Sequence, residues 1–414
     1  MAGKHVVVIG AGVIGLCAAE AMLRRGFRVT ILERDAEPGN GCSYGNGGIV
    51  VPSHFVPLAA PGMMAMGIKM MANRRSPFGF DRPWNLEALD WTVRFMRASN
   101  QAHVARSAPL LRDLNLASRA IYEELVVGMA PEVGYEERGL LMLCQTAKAL
   151  DAEARLAEDA NKLGLKAVVL DGQGVAAVEP NVWMEVAGGV HFLDDAHLTP
   201  ATFMREMRGR ILAAGGEIRD GLAGDDFRTA DNHIQAAGGV EADEFVLATG
   251  AWSGQVARKL GLRLPMLAGK GYGLTVANPP ETPSLPAILV EARIAVTPMT
   301  DGVRFVGTME LGPPGLRQNP ARVEGIRSSI PRYYPNFTPG SLEKSPVWTG
   351  LRPCSPDGLP YIGRPKRYRN LIVATGHAMM GMSLGPISGK LVAELAANDT
   401  PSIALNLLSP DRYA

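Results

Sequence analysis

Four consecutive apolar residues, Val6-Val-Val-Ile9, form a run short enough for a strand buried on both faces. A glycine-rich turn follows, then a helical stretch ending at Gly26, then a second apolar run, Phe27 to Leu32. Comparable buried runs recur far downstream, at Glu244–Leu247 and Asn370–Thr375. Helical spacing marks Ala201–Ala214, which stops at Gly215-Gly216, and Pro386–Ala396. The segments between read differently. Residues 85–100, 107–127 and 151–163 predict helices, and Gly139–Cys144 a strand. Leu264–Val276, the region of Ile294 and Val303–Val306 predict strands of an antiparallel sheet. The chain thus passes repeatedly between a parallel α/β layer and a second α+β layer.

The opening segment carries a glycine fingerprint, Gly10-x-Gly12-x-x-Gly15, between its strand and helix, and Glu33 closes the second strand. Gly10 permits the tight turn, Gly12 lets backbone approach a pyrophosphate, and Gly15 lets helix pack on strand. Val13 and Ile14 begin the helix, whose free N–H groups and positive dipole end would face phosphates. A carboxylate at Glu33 suits ribose hydroxyls and would repel a 2′-phosphate. Glycine turns also occur for purely structural reasons, but here strand, helix and terminal acid are in register.

Composition narrows the partners. The 414 residues suffice for two cores, 47% hydrophobic and 20% charged is ordinary globular composition, and the net charge of +1 argues against nucleic acid. Cys17, Cys42, Cys144 and Cys354 form no C-x-x-C pair, so no disulfide framework and no metal site is expected. The first strand begins near Met1 and no apolar stretch is long enough to span a bilayer, so a cytoplasmic location is expected. The methionine-rich segment Val56–Met71 reads as a buried or lid helix. Peripheral contact with the inner membrane face or a redox partner is the alternative.

Further motifs follow in order: Cys42-Ser43-Tyr-Gly-Asn46-Gly47-Gly48; Leu247-Ala-Thr249-Gly250-Ala-Trp252-Ser; Gly350-Leu-Arg352-Pro-x-Ser-Pro-Asp357; and Ala374-Thr-Gly376-His377 with Gly381-Met382-Ser383-Leu384 after it. Together they resemble the D-amino-acid oxidase superfamily of FAD-dependent oxidoreductases over essentially the whole chain. The nearest resemblance is to bacterial D-amino-acid dehydrogenases, including those of hydroxyproline breakdown. The resemblance implies a Rossmann-like FAD-binding domain of the glutathione-reductase type (1–84, 195–263 and 345–414). It implies a discontinuous antiparallel-sheet substrate domain (85–194 and 264–344). These motifs, with Arg34 after Glu33, are then the cofactor-binding residues, and the FAD is non-covalent, since the wording around Cys354 is not that of covalent flavoproteins.

Arg352 is the leading candidate for a substrate-carboxylate ligand, a role its planar fork suits. The structural alternative is a pair with Asp357 or a backbone carbonyl. Tyr272 is a second carboxylate ligand or pocket wall, or simply core. His54 and His377 are candidate pocket residues, with His377 assigned to positioning at the flavin edge and Arg352 extending to it. Tyr333-Tyr334 lie at the pocket mouth or in the core. The expected reaction is hydride transfer from a D-amino or D-imino acid, with cis-4-hydroxy-D-proline or D-proline favoured. A broad D-amino-acid dehydrogenase or a glycine/sarcosine-type oxidase is the alternative. The acceptor is a quinone, a protein or oxygen. An aromatic hydroxylase or an NAD-linked dehydrogenase leaves the later motifs unexplained, and a silent flavin-bound subunit of a redox complex is the non-enzymatic alternative.

Overall fold

The computed structural model describes residues 3–71, 73–81 and 86–414. The expected boundary between 84 and 85, and the expected helix start at Asn85, lie outside these residues. The buried runs assemble as a six-stranded sheet, in the order Tyr361–Gly363, Leu371–Thr375, Glu244–Leu247, His5–Ile9, Arg28–Glu33, Glu217–Asp220. All neighbours are parallel except the Tyr361–Gly363 edge. Val6, Val7, Val8 and Ile9 are fully buried, as strands covered on both faces must be. The second sheet has nine strands, and its longest, Leu267–Val276 and Gly302–Gly312, are antiparallel neighbours. Together the two sheets give the α/β plus α+β architecture expected.

Several helices begin earlier than the spacing predicts, two of them because of side-chain caps. The long helix runs Gln101–Leu125, not from 107, since Asn100 Oδ1 accepts from the His103 amide at 2.9 Å. Another runs Ala147–Lys162, with Thr146 as its cap. The last spans Gly381–Ala396, five residues longer at its start than predicted, and carries Pro386 inside. The methionine helix is shorter, Met63–Met71, because Pro61 and a left-handed Gly62 precede it.

Two helices pack closely against each other beside the parallel sheet. Val13–Arg24 and Gly381–Ala396 approach through Gly385 and Gly389. A Cβ on Gly389 would stand 2.4 Å from the Cys17 carbonyl oxygen, so no side chain fits. The long helix packs on the other flank, where the Tyr122 hydroxyl donates to the Met382 carbonyl at 2.6 Å. Near the end of the chain, Arg412 binds Asp357 through two bonds of 2.7 and 3.0 Å, and its guanidinium lies 3.7 Å from the centre of the Tyr361 ring. Burial alone would raise the Asp357 carboxyl, but Arg412 holds it below the usual range.

Gly389→Ala should cost about 1–3 kcal/mol in denaturant unfolding, because backbone rather than a yielding side chain opposes the new methyl. Arg412→Ala should cost about 3–5 kcal/mol, because it strands a buried carboxylate. With its pKa depressed, Asp357 contributes stability that is present above its unfolded value of about 4 and lost as pH falls through the folded one. Acid unfolding followed by circular dichroism should show this loss in the wild type and not in the variant.

Candidate active site

The turn after the first strand opens at Gly10, whose φ of 106° excludes side chains, and a Cβ there would stand 2.6 Å from the Ala248 carbonyl oxygen. Gly12, Val13 and Ile14 then line a cleft of about 770 Å³ at the carboxyl ends of the parallel strands. That is where open α/β sheets bind ligands. Glu33 also lines it, fixed by the Ala11 amide at 2.7 Å and the Asp35 amide at 3.0 Å. Each Glu33 oxygen retains lone-pair capacity. Arg34 lies over the Trp252 ring, 4.0 Å from its centroid, beside Thr249 and Gly250 on the same wall. The Ser43 hydroxyl accepts from the Val13 amide at 3.0 Å, tying the 42–48 loop to the helix start.

Farther along the cleft stand His377, Gly381 and Met382. His377 is buried, pairs through Nε2 with the Ser388 hydroxyl at 2.8 Å, and is held by burial near a pKa of about 3, hence neutral. Three buried polar atoms on the cleft's lining residues have no hydrogen-bond partner among the described residues: Tyr44 Oη, Thr349 Oγ1 and His377 Nδ1. Such groups are costly unless a ligand satisfies them.

A second cavity of about 310 Å³ adjoins the cleft, and Cys42, Asn46 and Trp348 line both. Its one wall is the Val347–Cys354 strand, which alternates Trp348, Gly350 and Arg352 on one face. In the neighbouring strand Gly269 is opposite Arg352, Gly271 opposite Gly350 and Gly273 opposite Trp348. A Cβ on Gly271 would lie 2.2 Å from Arg352 Nη1, and one on Gly45 would lie 2.1 Å from the Trp348 ring. Glycines therefore make room for the two large side chains.

Arg352 donates from Nη1 to the Thr308 carbonyl at 2.7 Å and forms no salt bridge among the described residues. Asp357, its structural alternative, belongs to Arg412. Thr308 sits in a bulge, where Gly271 faces two residues of the partner strand, and its φ of 69° is left-handed. Gly47 and His54 line the same cavity. The remaining wall is apolar: Met63, Met64, Met66 and Met70 from the methionine helix, with Trp91 and Phe95 from the next. Among the described residues, no aspartate or glutamate lines it. Ile68 of the methionine helix also lines the cavity and is 63% exposed.

Other expected site residues lie elsewhere. Tyr272 points to the opposite face of its strand, where its hydroxyl donates to Glu310 at 3.0 Å and accepts from the Asn319 amide at 3.0 Å. Tyr334 is core, and Tyr333 donates to Glu291 at 2.7 Å. Gly15 lies under the Gly10 carbonyl, Gly48 against the Leu198 carbonyl and Gly376 against Tyr361. Ser383 accepts from the Val51 amide at 2.8 Å and donates to Asn115 at 2.6 Å, while Leu384 is packed in the core. These shape the walls from behind. Cys354 lines neither cavity, and burial pushes its thiol up to about 12. Trp348 is the residue sequence reasoning missed; its signal is period-two spacing from Arg352.

Comparison with known proteins agrees with this geometry. A D-amino acid dehydrogenase of Helicobacter pylori is 28% identical over 399 residues, covering 95% of each chain. Glycine oxidase from Geobacillus kaustophilus superposes with a TM-score of 0.76 at 21% identity, covering both chains entirely. L-proline dehydrogenase from P. horikoshii superposes with a TM-score of 0.72 at 18% identity, over 100% of this chain and 98% of that one. The family model described as FAD dependent oxidoreductase (DAO) matches residues 5–395. The chain belongs to that family of FAD-dependent oxidoreductases.

Proposed function

We propose that the protein oxidises the Cα–N bond of a D-amino or D-imino acid held in the second cavity. The observation that carries this reading is Arg352: a cation without a carboxylate partner among the described residues, braced by the Thr308 carbonyl opposite a wall of methionine and aromatic side chains. A substrate carboxylate would complete it through two parallel charge-assisted bonds.

The cleft residues fit FAD. Glu33 would take ribose hydroxyls, and the Gly10–Ile14 turn and helix start would take the pyrophosphate. The orphaned Tyr44, Thr349 and His377 atoms would gain polar partners. When bound, FAD supplies a hydride acceptor, and the protein supplies orientation and a dry site. Gly381 begins a helix on the cleft wall, so its dipole favours negative charge developing there. Trp348, lining both cavities, would help hold the substrate against the cleft's inner end.

The apolar wall supports D-proline, whose ring methylenes need no polar partner. Thr308 Oγ1, buried and unpaired, offers a partner to the hydroxyl of cis-4-hydroxy-D-proline. The flexible methionine wall also favours a second reading, a broad range of apolar D-amino acids.

Anaerobic mixing of the FAD-loaded protein with D- and L-proline, cis-4-hydroxy-D-proline, D-alanine, sarcosine and glycine tests the reading. Flavin bleaching is expected with the D-imino acids. Bleaching by none of these compounds overturns the substrate assignment. Arg352→Ala should retain FAD absorbance and weaken carboxylate-substrate binding by about 2–5 kcal/mol. Unchanged affinity on titration would remove Arg352 from that role.

A further inference from the structure

Ser53 and His54 follow the Ile49–Val50 strand, and His54 reaches the second cavity while Ser53 does not. Behind them lies Asp195, fully buried. The strand register brings them together: Val50 pairs antiparallel with Ala196, so the residues just past Val50 meet the residue just before Ala196. Asp195 accepts from the Ser53 amide at 3.0 Å and from the Ser53 hydroxyl at 2.5 Å. Ser53 Oγ in turn lies 3.1 Å from His54 Nδ1.

A serine hydroxyl has one proton to give. When Ser53 gives it to ionised Asp195, its oxygen must accept at His54, so Nδ1 carries the imidazole proton. Nε2 then holds a lone pair. That nitrogen makes no hydrogen bond with the described residues, on a side chain that lines the cavity holding Arg352. The other charged or titratable lining groups are Arg293, Arg352 and Cys42. Asp194 and Arg119 stand near Asp195.

We propose that His54 Nε2 accepts the proton of the substrate's ammonium group, and that Asp195, through Ser53, sets the tautomer that lets it do so. The assignment rests on the amino-acid reading above. One substrate N–H bond breaks, its electron pair stays on nitrogen, and the proton bonds to Nε2. The neutral amine is the form whose lone pair assists hydride loss from Cα. The imidazolium keeps its Nδ1–H on Ser53, one hydroxyl away from a carboxylate that offsets its charge.

Protonation of Asp195 reverses the chain. A neutral carboxyl donates to Ser53, Ser53 donates to His54 Nδ1, and the imidazole becomes the Nε2–H tautomer, which accepts nothing. Burial pushes Asp195 up to about 7 and His54 down to about 4. The accepting tautomer therefore predominates above about pH 7, and the blocked one below it.

Nitrogen-15 NMR of the FAD-loaded protein labelled at histidine tests the relay, with His54→Gln identifying the signal and Ser53→Ala as an independent check. The expected result is an Nδ1–H tautomer at pH 8 that converts to Nε2–H below about pH 7, with Asp195→Asn abolishing the conversion. An Nε2–H tautomer at pH 8 overturns the relay. Anaerobic flavin reduction by D-proline between pH 6 and 10 tests proton acceptance. His54→Gln should slow reduction by about 100-fold or more at pH 8, with recovery toward wild type as pH approaches the ionisation of the substrate amine. A deficit equal at every pH overturns the acceptor role and marks His54 as structural. Failure of the wild type to be reduced by any amino acid, with the tautomer as expected, overturns the substrate reading and the acceptor role together and leaves the relay standing.

Discussion

A methyl group on Gly271 would stand 2.2 Å from the Arg352 guanidinium. That spacing expresses the constraint on which both cavities depend. The Leu267–Val276 strand alternates Gly269, Gly271 and Gly273 on the face where its neighbour presents Arg352 and Trp348. Large side chains can lie flat across a sheet only where the adjacent strand gives up its own. A one-residue slip would bring Tyr272 and Lys270 onto that face and bury the arginine's position. The sheet is therefore held in register by the same contacts that orient Arg352. The opposite face carries the Lys270, Glu310 and Tyr272 network, so a slip would strand charges as well.

The parallel half of the fold is legible from local pattern. A buried strand, a left-handed glycine and a helix start occupy adjacent residues, so each constraint is met within a short window. Glu33 is found because it ends the second strand of that same unit. Arg352 is found from its motif, but its freedom from Asp357 is not, since that depends on Arg412, fifty-five residues beyond Asp357 along the chain. Tyr272 shows where pattern reasoning stops. Glycines surround it in sequence, yet strand alternation alone does not say which face meets the cavity. The bulge at Thr308 is likewise invisible, because a threonine gives no local sign of a left-handed φ.

The cavity wall illustrates a different limit. Composition marks residues 63–71 as a methionine cluster, and the structure makes it one side of the second cavity. Thioether side chains fill irregular space without fixed rotamers, so such a wall adapts to its contents. The opposing strand wall, with its glycines and bulge, is rigid by comparison. One side of the cavity holds position and the other yields, a division of labour that suits a polar anchor beside a variable apolar surface.

The clasp between Arg412 and Asp357 has a consequence for synthesis of the chain. The first strand is complete by Ile9 and gains one parallel neighbour at Arg28, yet its other neighbour arrives only at Glu244 and that strand's partner at Leu371. Segments this distant cannot pair until the chain through the last of them has left the ribosome, which favours late closure of this sheet. Arg412 lies beyond every strand of that sheet, so the contact that secures the finished sheet's edge forms only after all of those strands have been made. A nascent chain of this protein thus carries unpaired parallel strands for most of that interval, and a break between Thr375 and Arg412 would leave the sheet's edge unsealed.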